Sequence, residues 1–229
     1  MATIFGKAGG SETIVGTAAN DIIYPNTGFD LVDGGAGIDT VILQLNRSKA
    51  DLSAANGLFY IDTVSGASGN ASQTRMKNVE RLEFNDAKIA IDMGATQHGG
   101  ETALLIGVVV GKGTVTLNKP LIGAVLDIFD QGASMKDISG AVMRLHAWNV
   151  IIPGIGPDPA SNTQIANYLL TNANGRAPDA ATLAAGVAAL DGETAATEGT
   201  FLAGLAVSAQ NQVTVNLIGF AQTGLTYTT

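Results

Sequence analysis

The sequence predicts an α+β chain. An N-terminal parallel β-roll, or β-solenoid, with capping strands is expected over residues 1–95, and an all-helical domain of two weak repeats over 100–229. Three observations carry this. An acidic residue returns every nine positions, at Glu12, Asp21, Asp30 and Asp39, and an aliphatic follows each two places later, at Ile14, Ile23, Val32 and Val41. There are 29 glycines but only 5% aromatics, so packing must rest on small aliphatics and close backbone approach. Beyond residue 100 the pattern becomes helical runs bounded by capping residues.

Laid out in nines, the start reads KAGGSETIV (7–15), GTAANDIIY (16–24), PNTGFDLVD (25–33) and GGAGIDTVI (34–42). A short strand can hold only the last few residues of each unit. The rest must reverse the chain, and glycine supplies the positive φ that tight turns need. Two turns and two strands make one coil of eighteen residues, with the aliphatic column stacked inward as a dry core. Each acid ends a turn whose carbonyls also point outward. Carboxylate plus carbonyl oxygen suits a hard divalent cation, calcium above all. Asp and Gly belong in any turn, so a metal-free glycine coil is the competing reading. Against it, carboxylates stacked about 4.8 Å apart repel and call for a counter-cation.

These residues resemble the RTX family of calcium-binding nonapeptide repeats, GGxGxDxUx, over 7–42; the fourth unit matches in every specified place. The resemblance implies Ca²⁺ (Ca2+) held between turns two units apart, Asp21 with Asp39 and Glu12 with Asp30, with Gly28, Gly35 and Gly37 in the turns that complete the sites. Departures are Pro25 and Asn26 in place of two glycines, Gly16 alone in the second unit, Lys7 at the head of the first, and Glu12 in place of Asp.

Downstream, VILQL (41–45) and LFYIDTV (58–64) read as strands separated by the turn SAANG, and GASGNASQ (66–73) as a polar loop. In KNVERLEFNDAKIAID (77–92), Val79, Leu82, Phe84, Ile89 and Ile91 predict two short strands around Asn85-Asp86. An open roll end exposes a strand edge that invites pairing, and this segment is placed to cover it. Its V-E-R-L-x-F-x-D pattern resembles the piece that closes RTX repeats in secreted bacterial proteins.

In the second half, SMKDISGAVMRL opens on a capping box, Ser134 to Asp137. SNTQIANYLLTNANG (161–175) has a Ser/Asn start and a glycine stop, and PDAATLAAGVAALDG (178–192) places Pro near its first turn and Gly192 past its end. LLIGVVVGKG, LIGAVLDIFDQG and DISGAV parallel YLLTNANGRA, LAAGVAALDG and TFLAGLAV, which divides this half near 101–150 and 161–220 across the linker IIPGIGPDPAS. NGRAPDAATL (174–183) and SAQNQ (208–212) resemble an uncharacterised helical repeat domain fused to RTX segments in secreted and surface-layer proteins; that resemblance carries no catalytic residue.

A net charge of −8 argues against nucleic acid and anionic membranes as partners. Without cysteine there is no disulfide or thiolate metal site. The first residues lack a basic start and an apolar run, so a cleaved Sec signal is not expected. No stretch has membrane-spanning length; ALLIGVVVG (103–111) is too short. His98 and His146 stand on different segments, which excludes a helical His pair; the first reads as loop, the second as helix surface. Asp127 with Asp130, and Asp191 with Glu193, read as solvated helix ends, Arg75, Lys77 and Arg81 as a solvated or salt-bridged face, and Trp148 as core rather than a sugar platform. The uncharged end, VTVNLIGFAQTGLTYTT, leaves three readings open: a buried helix, an export signal, or a strand donated to a neighbour.

The expectation is therefore a non-enzymatic, secreted, calcium-dependent structural protein that leaves by a type I export machine. It self-assembles with other copies into an extracellular layer, matrix or filament. The rival is a secreted adhesin or binding module that presents Trp148 and nearby loops to a glycan or a host surface.

Overall fold

A computed structural model describes residues 1–63, 72–145, 147–156, 158–192 and 194–228. It divides into two compact units, Met1–Met93 with Gly219–Thr229, and Gly94–Ile218.

In the first unit, short strands alternate between two sheets. One sheet runs in the order β1 (Thr3–Phe5), β3 (Ile22–Tyr24), β5 (Thr40–Ile42), β9 (Arg81–Glu83), β10 (Lys88–Ala90), β11 (Leu225–Tyr227). The other runs β2 (Thr13–Val15), β4 (Phe29–Asp33), β8 (Ser72–Lys77), β7 (Leu58–Thr63), β6 (Ala50–Ala55). Through the nonapeptides the pairing is parallel and steps by eighteen residues, Thr13↔Leu31 and Ile22↔Thr40. The period of nine thus puts every second unit on the same sheet.

The aliphatic column is the core. Ile23, Val41, Leu82 and Ile89 stand side by side on one sheet, and Ile14, Val32, Met76 and Phe59 on the other, all buried. Each fully buried aliphatic contributes roughly 1.5–3 kcal/mol, so residues spaced for one inward face assemble the coil.

After β5 the chain departs from the expected course. The strand of VILQL ends at Ile42, and a 3₁₀ turn, Arg47–Lys49, follows. SAANG is not one turn. Ser53 to Ala55 belong to β6, and only Asn56-Gly57 turns, with φ of 53° and 74°. Positive φ at both central residues is the two-residue hairpin geometry that Asn-Gly favours, and β6 pairs antiparallel with β7 through Ala55↔Leu58. Of the loop expected at 66–73, residues 66–71 lie outside the described residues, while Ser72 and Gln73 open β8, which runs parallel to β4. The two strands expected around Asn85-Asp86 are β9 and β10, antiparallel to each other, with β9 parallel to β5. The uncharged C-terminus forms β11, which pairs antiparallel with β10 of its own chain, Ala90↔Leu225. The helical half therefore does not keep all of 100–229, because this pairing places Gly219–Thr229 in the strand-rich unit.

The second unit is helical. Its centre is α1 (His98–Val110), buried around almost its whole circumference. Against it pack α3 (Lys119–Asp130), α6 (Asn162–Asn174) and α8 (Ala195–Val207); α6 also meets α7 (Ala180–Asp191), and α8 meets α4 (Met135–Met143). Short helices α2 (Thr114–Leu117) and α9 (Ala209–Thr214) also pack on α1, α5 (Trp148–Ile151) follows α4 in the chain, and α10 (Leu217–Thr223) crosses the division. Caps fall where the sequence puts them. Ser134 Oγ accepts from Asp137 N, Ser161 and Gln164 form a capping box, and Gly175 ends α6 at φ 69°. A Cβ on Gly199 would lie 3.0 Å from the Gly140 main chain, so small residues set the approach of α4 and α8.

Candidate metal centre

The acidic column is built by the register of the coil. Asp21, Asp39 and Glu80 each directly precede residues that pair across sheet neighbours, Ile22↔Thr40↔Arg81. On the other sheet, Glu12 directly precedes β2, and Asp30 lies in β4 before Leu31, the partner of Thr13. Asp21, Asp30 and Asp39 are buried at 1%, 0% and 0% exposure, although each is ionisable; Glu12 is half-buried.

A ladder of hydrogen bonds runs up the column. The Asp21 N–H donates to Asp39 Oδ1 at 2.8 Å, and the Glu12 N–H to Asp30 Oδ1 at 3.2 Å. Each expected pair is thus joined across layers, one partner through its main chain. The Asp39 N–H donates in turn to Glu80 Oε2 at 2.8 Å. Glu12 takes the Lys7 N–H.

The acids differ in what surrounds their remaining oxygens. Asp21 is satisfied by protein. The N–H and hydroxyl of Thr17 donate to Oδ2 at 2.6 and 2.8 Å, and the Ala2 N–H to Oδ1 at 2.6 Å. The Thr17 N–H above all holds its carboxyl below the usual range, against the opposing effect of burial. Asp30 Oδ2 and Asp39 Oδ2 are buried with no hydrogen-bond partner. Burial pushes both carboxyls up, and nearby carboxylates add to it: Glu12 for Asp30, and Asp21 and Asp33 for Asp39.

Main-chain carbonyls approach the same places. A Cβ on Gly34 would lie 1.8 Å from the Asn78 carbonyl oxygen and 2.6 Å from Asp39 Oδ2. A Cβ on Gly28 would lie 1.9 Å from the Gly10 carbonyl oxygen and 3.3 Å from Asp30 Oδ1. Gly28, Gly35 and Gly37 hold φ of 149°, 101° and 121°, and a Cβ on Gly35 would lie 2.1 Å from the Thr17 carbonyl oxygen. These turns admit only glycine, for space as much as for φ. Orphaned carboxylate oxygens beside carbonyls fit a hard cation, which takes oxygen ligands at about 2.3–2.6 Å. Among the described residues no three acidic or histidine side chains converge on one point, so the carbonyls must share in any site.

The other candidates resolve into structure. Lys77 pairs with Asp33 at 2.8 Å, and Arg81 with Asp92 at 2.6 Å, both of the latter 4% exposed. Arg75 lies in β8. His98 is not loop; it opens α1, and its Nδ1 meets Asp130 Oδ1 at 2.8 Å. Asp130 is therefore a histidine partner rather than a solvated helix end. Asp191 accepts from Asn162 Nδ2 at 2.8 Å. Glu193 and His146 lie outside the described residues. Trp148 opens α5 at 5% exposure, and its indole N–H donates to the Met143 carbonyl, so it presents no platform to a glycan. Glu80 is the member of the column that sequence reading missed, because it stands 41 residues beyond Asp39 and outside the nine-residue period.

No family model and no curated protein matches the chain. Solved structures to which part of the chain is distantly similar include an extracellular lipase of Serratia marcescens, at 14% identity and a TM-score of 0.23 over 39% of this chain. The chain spans 17% of that lipase. Another is a subunit of the mannuronan C5-epimerase of Azotobacter vinelandii, at 13% identity and a TM-score of 0.19 over 33% of this chain and 71% of the subunit. Among the described residues no helix is long and apolar enough to cross a membrane.

Proposed function

We propose that the strand-rich unit is an RTX-like roll that folds around calcium, and that the chain serves outside the cell as a structural protein whose copies assemble into a layer, matrix or filament. The observation that carries the calcium is the pair of buried carboxylate oxygens without partners, Asp30 Oδ2 and Asp39 Oδ2, in a column of stacked acids. Without a cation the column sets like charges in adjacent layers and leaves buried acceptors unmet. Ca²⁺ supplies the neutralising charge, and Asp39, Asp30, Glu12 and the turn carbonyls supply oxygens. Asp21, saturated by Thr17 and Ala2, shapes the turn and adds negative potential. Where calcium is scarce, as in a cytosol, the roll stays loose and a type I export machine meets an extended chain; outside, calcium locks the turns.

Assembly is supported by the roll's first layer. β1 and β2 are edge strands of their sheets, and Phe5 and Val15 on them are 68% and 60% exposed. Unpaired edges with apolar side chains favour strand-to-strand association, and contact between unlike ends propagates without closing. The chain is proposed to act without catalysis. Size-exclusion chromatography with light scattering, and electron microscopy, in chelator and in millimolar Ca²⁺ test this. Calcium-dependent polymers are expected, and a strict monomer at high concentration in calcium refutes the assembly.

A further inference from the structure

We propose that Glu80 is a third acid rung of the roll, supplying a carboxylate oxygen to a divalent cation shared with Asp39 and the Asn78 main-chain carbonyl. This rests on the calcium reading and moves one ion a layer beyond the nonapeptides.

Register is the first support. Because Thr40 pairs with both Ile22 and Arg81, the residues before them, Asp21, Asp39 and Glu80, occupy one position in three successive layers. The opposite side of the turn matches. Val15↔Asp33↔Lys77 makes Gly16, Gly34 and Asn78 equivalent. Asn78 adopts φ 51°, in the left-handed region that Asn tolerates better than other side chains. The turn that takes six residues from Gly34 to Asp39 is cut to three, Asn78 to Glu80, yet its two ends are kept.

Bonding is the second. The Asp39 N–H donates to Glu80 Oε2 at 2.8 Å, the same link at the same length as that from the Asp21 N–H to Asp39 Oδ1. Glu80 does for the third layer what Asp39 does for the second.

The third is where the unmet acceptor points. Asp39 Oδ1 faces the Asp21 layer, and Asp21 Oδ2 there is already filled by Thr17. Asp39 Oδ2 and the Asn78 carbonyl oxygen both lie beside the place that a Cβ on Gly34 would take. Placed 2.6 and 1.8 Å from one point, the two oxygens are no farther apart than two ligands of one calcium ion. Charge agrees. Glu80 stands beside Asp39 and Asp92, and the Arg81 guanidinium is engaged with Asp92 at 2.6 Å. A cation here fastens the segment that closes the roll to the last nonapeptide turn.

The test is Ca²⁺ binding to the full chain by calorimetric titration and equilibrium dialysis, for wild type, Glu80→Gln and Asp30→Asn. The Gln side chain keeps an oxygen for the Asp39 N–H and loses only the charge. Glu80→Gln is expected to bind one ion fewer, or to weaken one site at least tenfold, while its melting temperature in chelator does not fall. Asp30→Asn is expected to leave that site intact. Equal stoichiometry and affinity in wild type and Glu80→Gln overturn the assignment while the calcium reading stands; no binding by wild type overturns both. Should Glu80→Gln fail to fold, the wild type decides alone. Its Glu80 side-chain carboxyl ¹³C resonance is expected to shift on saturation with Ca²⁺, and a resonance that stays put overturns the proposal.

Discussion

Replacing Asp39 by Asn removes one buried charge and keeps the bond that joins two layers. An amide oxygen still accepts the Asp21 N–H, which lies 2.8 Å from Oδ1 in the wild type. The amide nitrogen takes the place of Oδ2, which has no partner, and gains the Asn78 carbonyl as an acceptor close by. A buried polar atom left unsatisfied costs about 1–3 kcal/mol. In chelator, Asp39→Asn is therefore expected to be more stable than wild type by about 1–2 kcal/mol. In calcium the balance changes. At a Kd of about 0.1 mM and about 1 mM Ca²⁺, each site contributes about 1.4 kcal/mol, and the variant loses that increment. For a unit of this size, the calcium-induced rise in Tm is expected to shrink by on the order of 5–10 °C. The assay is calorimetric melting of both proteins, with and without chelator. Asp39→Ala is the control: it loses the acceptor for the Asp21 N–H and is expected to be destabilised in both buffers. A calcium increment in Asp39→Asn equal to that of wild type would show that Asp39 only shapes its turn.

Other outcomes follow from the same geometry. In chelator, stability of the strand-rich unit is expected to fall as pH rises from about 4.5 through about 7, because Glu80 holds its proton in the folded state up to about 7 against an ordinary 4.5. Below that window both states are protonated. Urea titrations across pH check this, Glu80→Gln should flatten the slope, and stability that climbs through the window contradicts it. Gly34→Ala puts a Cβ 1.8 Å from the Asn78 carbonyl oxygen and is expected to cost about 1–3 kcal/mol or more. Gly204→Ala, in α8 with nothing within 4 Å, should stabilise by up to about 1 kcal/mol; equal effects of the two in chemical denaturation would remove the crowding argument. Asp92→Asn removes the charge that balances the buried Arg81 guanidinium 2.6 Å away and is expected to lose about 3–5 kcal/mol.

How much was legible depended on whether a residue's neighbours were local. The column Glu12, Asp21, Asp30, Asp39 and its aliphatic companion repeat in sequence, so register and inward face could be read directly. The caps at Ser134, Ser161 and Gly175 are contacts within one turn, and they too could be read. Glu80 escaped because the excursion through β6, β7 and β8 breaks the period before the layer resumes. β8 itself, Ser72–Lys77, turns Ser72, Thr74 and Met76 inward. Two of these three are polar, so no apolar alternation announces the strand. β6, with its run of small residues, is defined by its hairpin partner and not by its own composition. β11 is three residues whose strand character comes only from β10, far away in the chain. His98 reads as loop because its partner, Asp130, is supplied by another helix. Uneven satisfaction of the acids was invisible as well. Asp21 and Asp39 hold the same place in the repeat, and only Thr17, whose hydroxyl and N–H reach Asp21, sets them apart.

The most direct measurement is the melting temperature of the wild-type chain as a function of free Ca²⁺, from chelator to about 10 mM, with Mg²⁺ in parallel. If divalent ions hold the acid layers together, Tm climbs steadily with the logarithm of calcium concentration and responds far less to Mg²⁺, which demands a tighter octahedral shell. A melting temperature that stays level across the calcium series means the layers stand without a cation.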